Sequence, residues 1–199
     1  MSEAFYRHPT ALVESSDIGP HTRIWAFAHV MRGVRIGREV NVGDHCFIET
    51  GVSIGDGVTI KNGVMLWEGV RVENFVFIGP GVVFTNDRNP RSPRFPPVAE
   101  RYRGKRWLSL TVVEESASIG ANATLLSGIT IGRFALVSAG AVVTGDVPAH
   151  GLAMGVPARV VGYVSDTGRR LKFSKTGEAR CPETGRRYRL RRGKILYVD

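Results

Sequence analysis

Between residues 12 and 84 the chain repeats itself every six residues. The sixth positions are Leu12, Ile18, Ile24, Val30, Ile36, Val42, Ile48, Ile54, Ile60, Leu66, Val72, Ile78 and Phe84, and all are apolar. A second, smaller apolar set falls four places later, among them Ala28, Val34, Val40, Cys46, Val52, Val58, Val64, Val70, Val76 and Val82. Glycine often follows the main position, as at Gly19, Gly37, Gly43, Gly55 and Gly79. A six-residue period fits neither a helix of 3.6 residues per turn nor an alternating strand. It is the signature of a parallel β-helix, in which short strands joined by tight turns wind into stacked coils. The rhythm stops after Phe84 and resumes at Ile119, Leu125, Ile131, Val137 and Val143. The 35 residues from Phe84 to Ile119 are not a multiple of six and contain Pro90, Pro93, Pro96 and Pro97. An irregular loop leaving the solenoid is expected there.

With 43% hydrophobic residues and no apolar run of membrane-spanning length, the chain reads as one main body plus a small appendage. Each buried aliphatic side chain of the inward rows contributes about 1.5 to 3 kcal/mol. Of the two cysteines, Cys46 falls in an inward row, where a thiol behaves as a small hydrophobe, and Cys181 lies far off in the tail. No disulfide framework follows, and residues 1–10 show no leader pattern, so a cytoplasmic setting is expected. The net charge of +9 is unevenly placed. Residues 85–110 carry seven Lys or Arg against two acids, residues 159–199 carry twelve against four, and the remainder is 8 minus 12, or −4. The basic excess therefore lies on a loop and a tail, placed to attract anionic ligands such as phosphates.

The Ile-Gly hexads over residues 12–162 resemble those of the hexapeptide-repeat acyltransferases. That resemblance implies an all-β, left-handed parallel β-helix with 18 residues per coil, assembled as a homotrimer. Residues 1–162 would form the β-helix, with residues 1–11 capping its first coil and residues 85–112 inserted as a loop, and residues 163–199 would form a small C-terminal β meander. Phe84-Thr85-Asn86 and Asn89-Pro90-Arg91, together with the VGYVS and CPETG stretches starting at Val161 and Cys181, are similar to the UDP-2-acetamido-3-amino-2,3-dideoxyglucuronate N-acetyltransferases. The alternative within the same chemistry is a dTDP-3-amino-3,6-dideoxyhexose acceptor. The resemblance makes acetyl-CoA the cosubstrate, without a metal, and places Ser138, Ala139, Gly140, Pro157 and Arg159 along the coenzyme. Arg suits the phosphates because its charge is permanent and its donors are several. Trp67, Asp87, Arg88, Asn89 and Arg91 would surround the nucleotide-linked amino sugar. The loop lacks the histidine that many relatives use as a base.

A coil of 18 residues makes outward columns readable. His29, Phe47, Met65 and Val83 form a largely apolar one, and exposed apolar stripes mark interfaces. Thr50, Glu68 and Asn86 form another, with successive members about 4.8 Å apart. Glu68 and Asn86 are thus expected side by side as the catalytic pair, the Asn carbonyl receiving an amine N–H and its amide meeting the carboxylate. Two rival readings fit less well. A γ-class carbonic anhydrase shares the solenoid, but His21, His29 and His45 have neither the spacing nor the pairing of a three-histidine metal site. The Arg-rich tail, interleaved with Phe173, Tyr188 and Tyr197, permits a nucleic-acid module, yet it matches no recognised motif, so neither nucleic acid nor membrane is an expected partner.

Overall fold

The computed structural model describes residues 5–198. The chain winds as a three-sided parallel β-helix, visiting three sheets in turn: one of nine strands, one of seven and one of six. Most strands are only two residues long, the second of each pair facing inward. The register is the 18-residue one throughout the regular part, with Asn41, Thr59 and Phe77 in one column and His29, Phe47, Met65 and Val83 in another. The inward rows are sealed, and Val30, Ile48, Leu66, Ile60 and Ile78 have no exposed surface. In the outward apolar column, Phe47 packs against Trp67 with ring centroids 5.3 Å apart, while Met65 and Val83 stay exposed.

A chain that must bend three times per coil favours a left-handed residue at its corners, and the structure supplies one at most of them. Phe27, His45, Gly63, Gly81, Asn122 and Gly140 occupy one such column, all with φ between 56° and 70°. This explains why Phe27 and Phe75 point to solvent, since both are corner residues with φ of 57°. Corner side chains also tie adjacent coils together. Asp44 Oδ1 accepts from the Ala26 N–H at 3.0 Å, Asn62 from Asp44 at 3.2 Å, Asp56 from Arg38 at 3.0 Å and Asn74 from Asp56 at 2.8 Å, each across 18 residues.

The first coil departs from expectation. Leu12 is 56% exposed, and Val13 takes the position beneath Val30. Only five residues separate Val13 from Ile18, so the hexad there is one residue short, and a one-residue slip sends the upstream side chains to the opposite face. The expected cap over residues 1–11 falls partly outside the described residues. Within them, Tyr6–Arg7 is a strand stacked on Arg23–Ile24, so this stretch continues the coil.

At the other end, Gly151–Gly155 stacks parallel on the last coil and then turns through Val156 and Pro157 into the antiparallel strand Ala158–Tyr163. Pro157 therefore sits in a hairpin turn. The tail forms a three-stranded meander, Glu178–Arg180, Arg187–Arg191 and Lys194–Val198, around a small core of Leu171, Ala179, Cys181 and Tyr188. It is docked through Asp166, whose carboxylate accepts from Tyr188 Oη at 3.1 Å and Tyr197 Oη at 3.0 Å and pairs with Arg186. Beside it, the buried His150 ring lies with Nδ1 3.0 Å from the Val164 carbonyl, which can only accept, so that nitrogen carries the proton. Burial holds this imidazole below its ordinary value of 6.5, outweighing the Val164 carbonyl and the Asp166 carboxylate.

The closeness of coils at the glycine corners yields a direct test. A Cβ on Gly37 would stand 2.7 Å from Gly55 C and 2.8 Å from Asp56 N, both backbone atoms. Gly37→Ala is expected to cost about 1 to 3 kcal/mol by overpacking, lowering Tm by roughly 5 °C in thermal denaturation. Gly145→Ala, with nothing within 4 Å of its new Cβ, is expected to leave Tm unchanged.

Candidate active site

The corner between the seven-stranded and six-stranded faces is turned by Gly33, Gly51, Gly69 and Gly128, with φ of 78°, 86°, 89° and 74°. After Phe84 the chain leaves at this corner and returns at Thr111, so that Val72 pairs with Val113, 41 residues on instead of 18. The base of the excursion is pinched shut. Ser109 N donates to the Asn86 carbonyl at 2.9 Å, Thr111 N donates to the Gly69 carbonyl at 2.9 Å, and Leu108 packs where a Gly69 side chain would stand. The loop is less irregular than expected from its prolines, since Ala99–Arg103 is helical and is flanked by short 3-10 turns.

The loop's polar residues largely hold one another. Asp87 accepts from Asn89 N at 2.8 Å and from Tyr102 Oη at 2.6 Å, and that same hydroxyl accepts from Arg91 N at 3.0 Å. Arg88 donates to the Ser127 and Gly128 carbonyls at 3.1 and 3.0 Å, clamping the loop to the next coil. Arg91 donates to the Pro90 carbonyl at 2.8 Å, and Arg101 to the Asn89 carbonyl at 2.8 Å. Asp87, Arg88 and the backbone of Asn89, expected around the sugar, thus help to build the loop, and all three residues also line a cleft of about 360 Å³ on it. Trp67 is half-buried against the core and Phe47, a wall of the corner.

Glu68 and Asn86 stand at equivalent corners of successive coils, as the register of Met65 with Val83 requires. Their expected mutual hydrogen bond is replaced by another. The Glu68 carboxylate, with its side chain 23% exposed, pairs with Lys105 from the returning limb of the loop. Its backbone N–H is held by Glu49 Oε2 at 2.7 Å. Lys105 was invisible to periodicity because it lies where the repeat is broken; the excess of cations in the loop was its only signal. The half-buried Asn86 has its carbonyl engaged by Ser109, while its side-chain amide makes no hydrogen bond to another described residue. On the next coil the same position is held by Ser127, whose buried hydroxyl also has no partner among the described residues. The corner thus presents a carboxylate and a free amide a coil apart, a polar surface able to receive an amine.

The second candidate region lies at the last coil. Ser138 N donates to the Ala153 carbonyl at 2.9 Å, and Ala139 and Gly140 are exposed at a corner, with Gly140 N bonded to the Ala121 carbonyl at 2.8 Å. Arg159 is exposed and lines a cleft of about 240 Å³ with Thr144, Gly145, Asp146 and Ala153. Ser138–Gly140 do not line this cleft, but they abut it through Ala153. Cys46 is not placed to carry an acyl group to either region. Cys46 is 1% exposed, its Sγ faces the Lys61 carbonyl at 3.1 Å, and burial pushes its thiol up to about 11.

Residues 15–50 and 51–86 match the family of bacterial transferase hexapeptide (six repeats), and residues 111–145 match the hexapeptide repeat of succinyl-transferase. The chain is 46% identical over 194 residues to dTDP-3-amino-3,6-dideoxy-alpha-D-galactopyranose 3-N-acetyltransferase of Aneurinibacillus thermoaerophilus, covering 98% of this chain and 95% of that one. Over 58 residues it is 45% identical to a 2,3,4,5-tetrahydropyridine-2,6-dicarboxylate N-acetyltransferase of Staphylococcus aureus, which is 29% of this chain and 24% of that one. Among solved structures, a maltose O-acetyltransferase from Clostridium difficile 630 superposes with a TM-score of 0.52 at 20% identity, covering 63% of this chain and 67% of that one; this is a likeness of fold. The chain belongs to the hexapeptide-repeat transferases and, within them, to the N-acetyltransferases of nucleotide-linked amino sugars.

Proposed function

We propose that the protein moves the acetyl group of acetyl-CoA to the 3-amino group of a dTDP-linked 3-amino-3,6-dideoxyhexose. The observation that carries this reading is the 46% identity to an enzyme named for that chemistry, sustained over nearly the whole of both chains and therefore across the inserted loop. The alternative acceptor, UDP-2-acetamido-3-amino-2,3-dideoxyglucuronate, rests on the short loop and tail stretches alone. The apolar column containing Met65 and Val83 supports a homotrimer in which this face is covered by neighbouring copies.

In this reading the amine attacks the thioester carbonyl directly in a ternary complex. A C–N bond forms, the C–S bond breaks, and the coenzyme leaves as a thiolate that takes up the proton lost by nitrogen. Cys46 faces the core as a neutral thiol, so the transfer proceeds without an acyl-enzyme on it. The Glu68 carboxylate keeps acceptor sites beyond its pair with Lys105 and holds the amine end of the sugar with them, and the Asn86 amide oxygen accepts an N–H from it, fixing its lone pair toward the carbonyl carbon. The developing oxyanion is met by backbone N–H groups of the coil. Arg159 and the segment from Ser138 to Gly140 hold the coenzyme.

Two measurements check this. Against a panel of dTDP- and UDP-linked 3-amino sugars with acetyl-CoA, thiol release is expected to be fastest with the dTDP-linked 3,6-dideoxyhexose; release with none of them contradicts the reading, and preference for the UDP-glucuronate overturns the choice of acceptor. Arg159→Ala is expected to raise the KM for acetyl-CoA roughly tenfold by removing a charged hydrogen bond, with the sugar's KM unchanged. Equal weakening for both substrates rejects the assignment.

A further inference from the structure

The loop's basic residues are not equivalent, and the difference singles out cations beside Asp87, Arg88 and Asn89 that the sequence did not distinguish. Arg88 and Arg91 face backbone carbonyls, Arg103 pairs with Glu100 at 2.6 Å and Lys105 pairs with Glu68. Arg101 donates one nitrogen to the Asn89 carbonyl. Arg94 and Arg106 are both exposed, and neither guanidinium has an acceptor among the described residues; Arg106 is set apart by the clefts beside it. It lines a cleft of about 360 Å³ with Arg101, Trp107 and Ser109, and it also lines an adjoining one of about 510 Å³, again with Arg101. Both clefts are lined by Arg101 and Arg106, and Arg88 lines one and Arg103 the other, so together they make a basic groove of this face of the loop. Glu100 is paired with Arg103, while Asp87 is hydrogen-bonded by Tyr102 and Asn89 and keeps its charge, so Arg88, Arg101, Arg103 and Arg106 outnumber the two acids that line the clefts.

We propose that this groove holds the diphosphate of the nucleotide-linked substrate, with Arg106 as its principal anchor, Arg101 as its second cation and Trp107 as the apolar wall beside it. Guanidinium groups present forked N–H donors that match phosphate oxygens. Trp107 is half-buried, 5.8 Å from the Tyr102 ring, and so is held in place as a surface for the nucleoside. The groove is also in the right place. Ser109, which lines it, holds the Asn86 carbonyl, and Lys105, the neighbour of Arg106, holds Glu68. In this proposal the anomeric phosphate lies in the groove and the sugar ring extends from it toward the Glu68–Asn86 corner, to which Ser109 and Lys105 connect it. The assignment rests on the nucleotide-sugar reading above but concerns binding alone.

The test is calorimetric titration of the full-length protein with dTDP and with UDP, with no acceptor chemistry involved. Wild-type protein is expected to bind at least one of them, Arg106→Ala to weaken that binding roughly tenfold or more, and Arg106→Lys to recover part of it. Unchanged acetyl-CoA binding and Tm would show that the variant is folded. Undiminished binding by Arg106→Ala, or no binding of either nucleotide by wild-type protein, overturns the proposal. Arg106-dependent binding without acetyl transfer to any sugar in the panel would instead retain the groove and reject the acceptor assignment.

Discussion

In a coil of this kind the backbone N–H and C=O groups point up and down at neighbouring coils, so each coil is hydrogen-bonded only where its strands keep register with those of its neighbours. The in-register stacking of coils is the constraint on which everything else here depends. It brings Ile and Val from every sixth position into sealed rows, and it sets Asp and Asn side chains against the N–H groups of the adjacent coil. It also places a left-handed residue at most of the bends. Glycine, or a residue that tolerates that conformation, is required there by backbone geometry.

The same constraint explains where a site can arise. An insertion inside a strand would break the register, whereas one at a corner leaves the stacking of the next coil intact. The excursion after Phe84 is of that kind, and its base is closed by two backbone hydrogen bonds, Ser109 to Asn86 and Thr111 to Gly69. The rigid solenoid supplies Glu68 and the loop supplies Lys105 and the basic groove, so the corner joins a fixed carboxylate to donors carried by the insertion. Catalytic groups on loops held by a rigid frame are a general solution to combining precision with variety.

Much of this was legible in the sequence because the period is a direct image of the coil. The inward rows, the apolar column from His29 to Val83, the shared corner of Glu68 and Asn86 and the interruption after Phe84 all follow from counting by six or 18. What failed were features in which the count carries no information. The short hexad before Ile18 exposes Leu12, because a one-residue slip leaves composition unchanged while reversing the face. The pairing of Lys105 with Glu68, and the engagement of Arg88 by the Ser127 and Gly128 carbonyls, depend on how an aperiodic loop folds back. Residue type marked the loop as basic, but only geometry separates the arginines that hold backbone from Arg106, which lines the clefts.

The central claim is that chemistry takes place at the corner where Asn86 follows Glu68. Steady-state kinetics of Asn86→Ala, with both substrates saturating, tests it most directly. Loss of one hydrogen bond to the reacting amine costs about 1 to 3 kcal/mol, so kcat is expected to fall roughly 5- to 150-fold, with acetyl-CoA binding and Tm preserved. An unchanged kcat would contradict the account, and a variant that unfolds would make Asn86 a residue that shapes the loop rather than one that acts on the substrate.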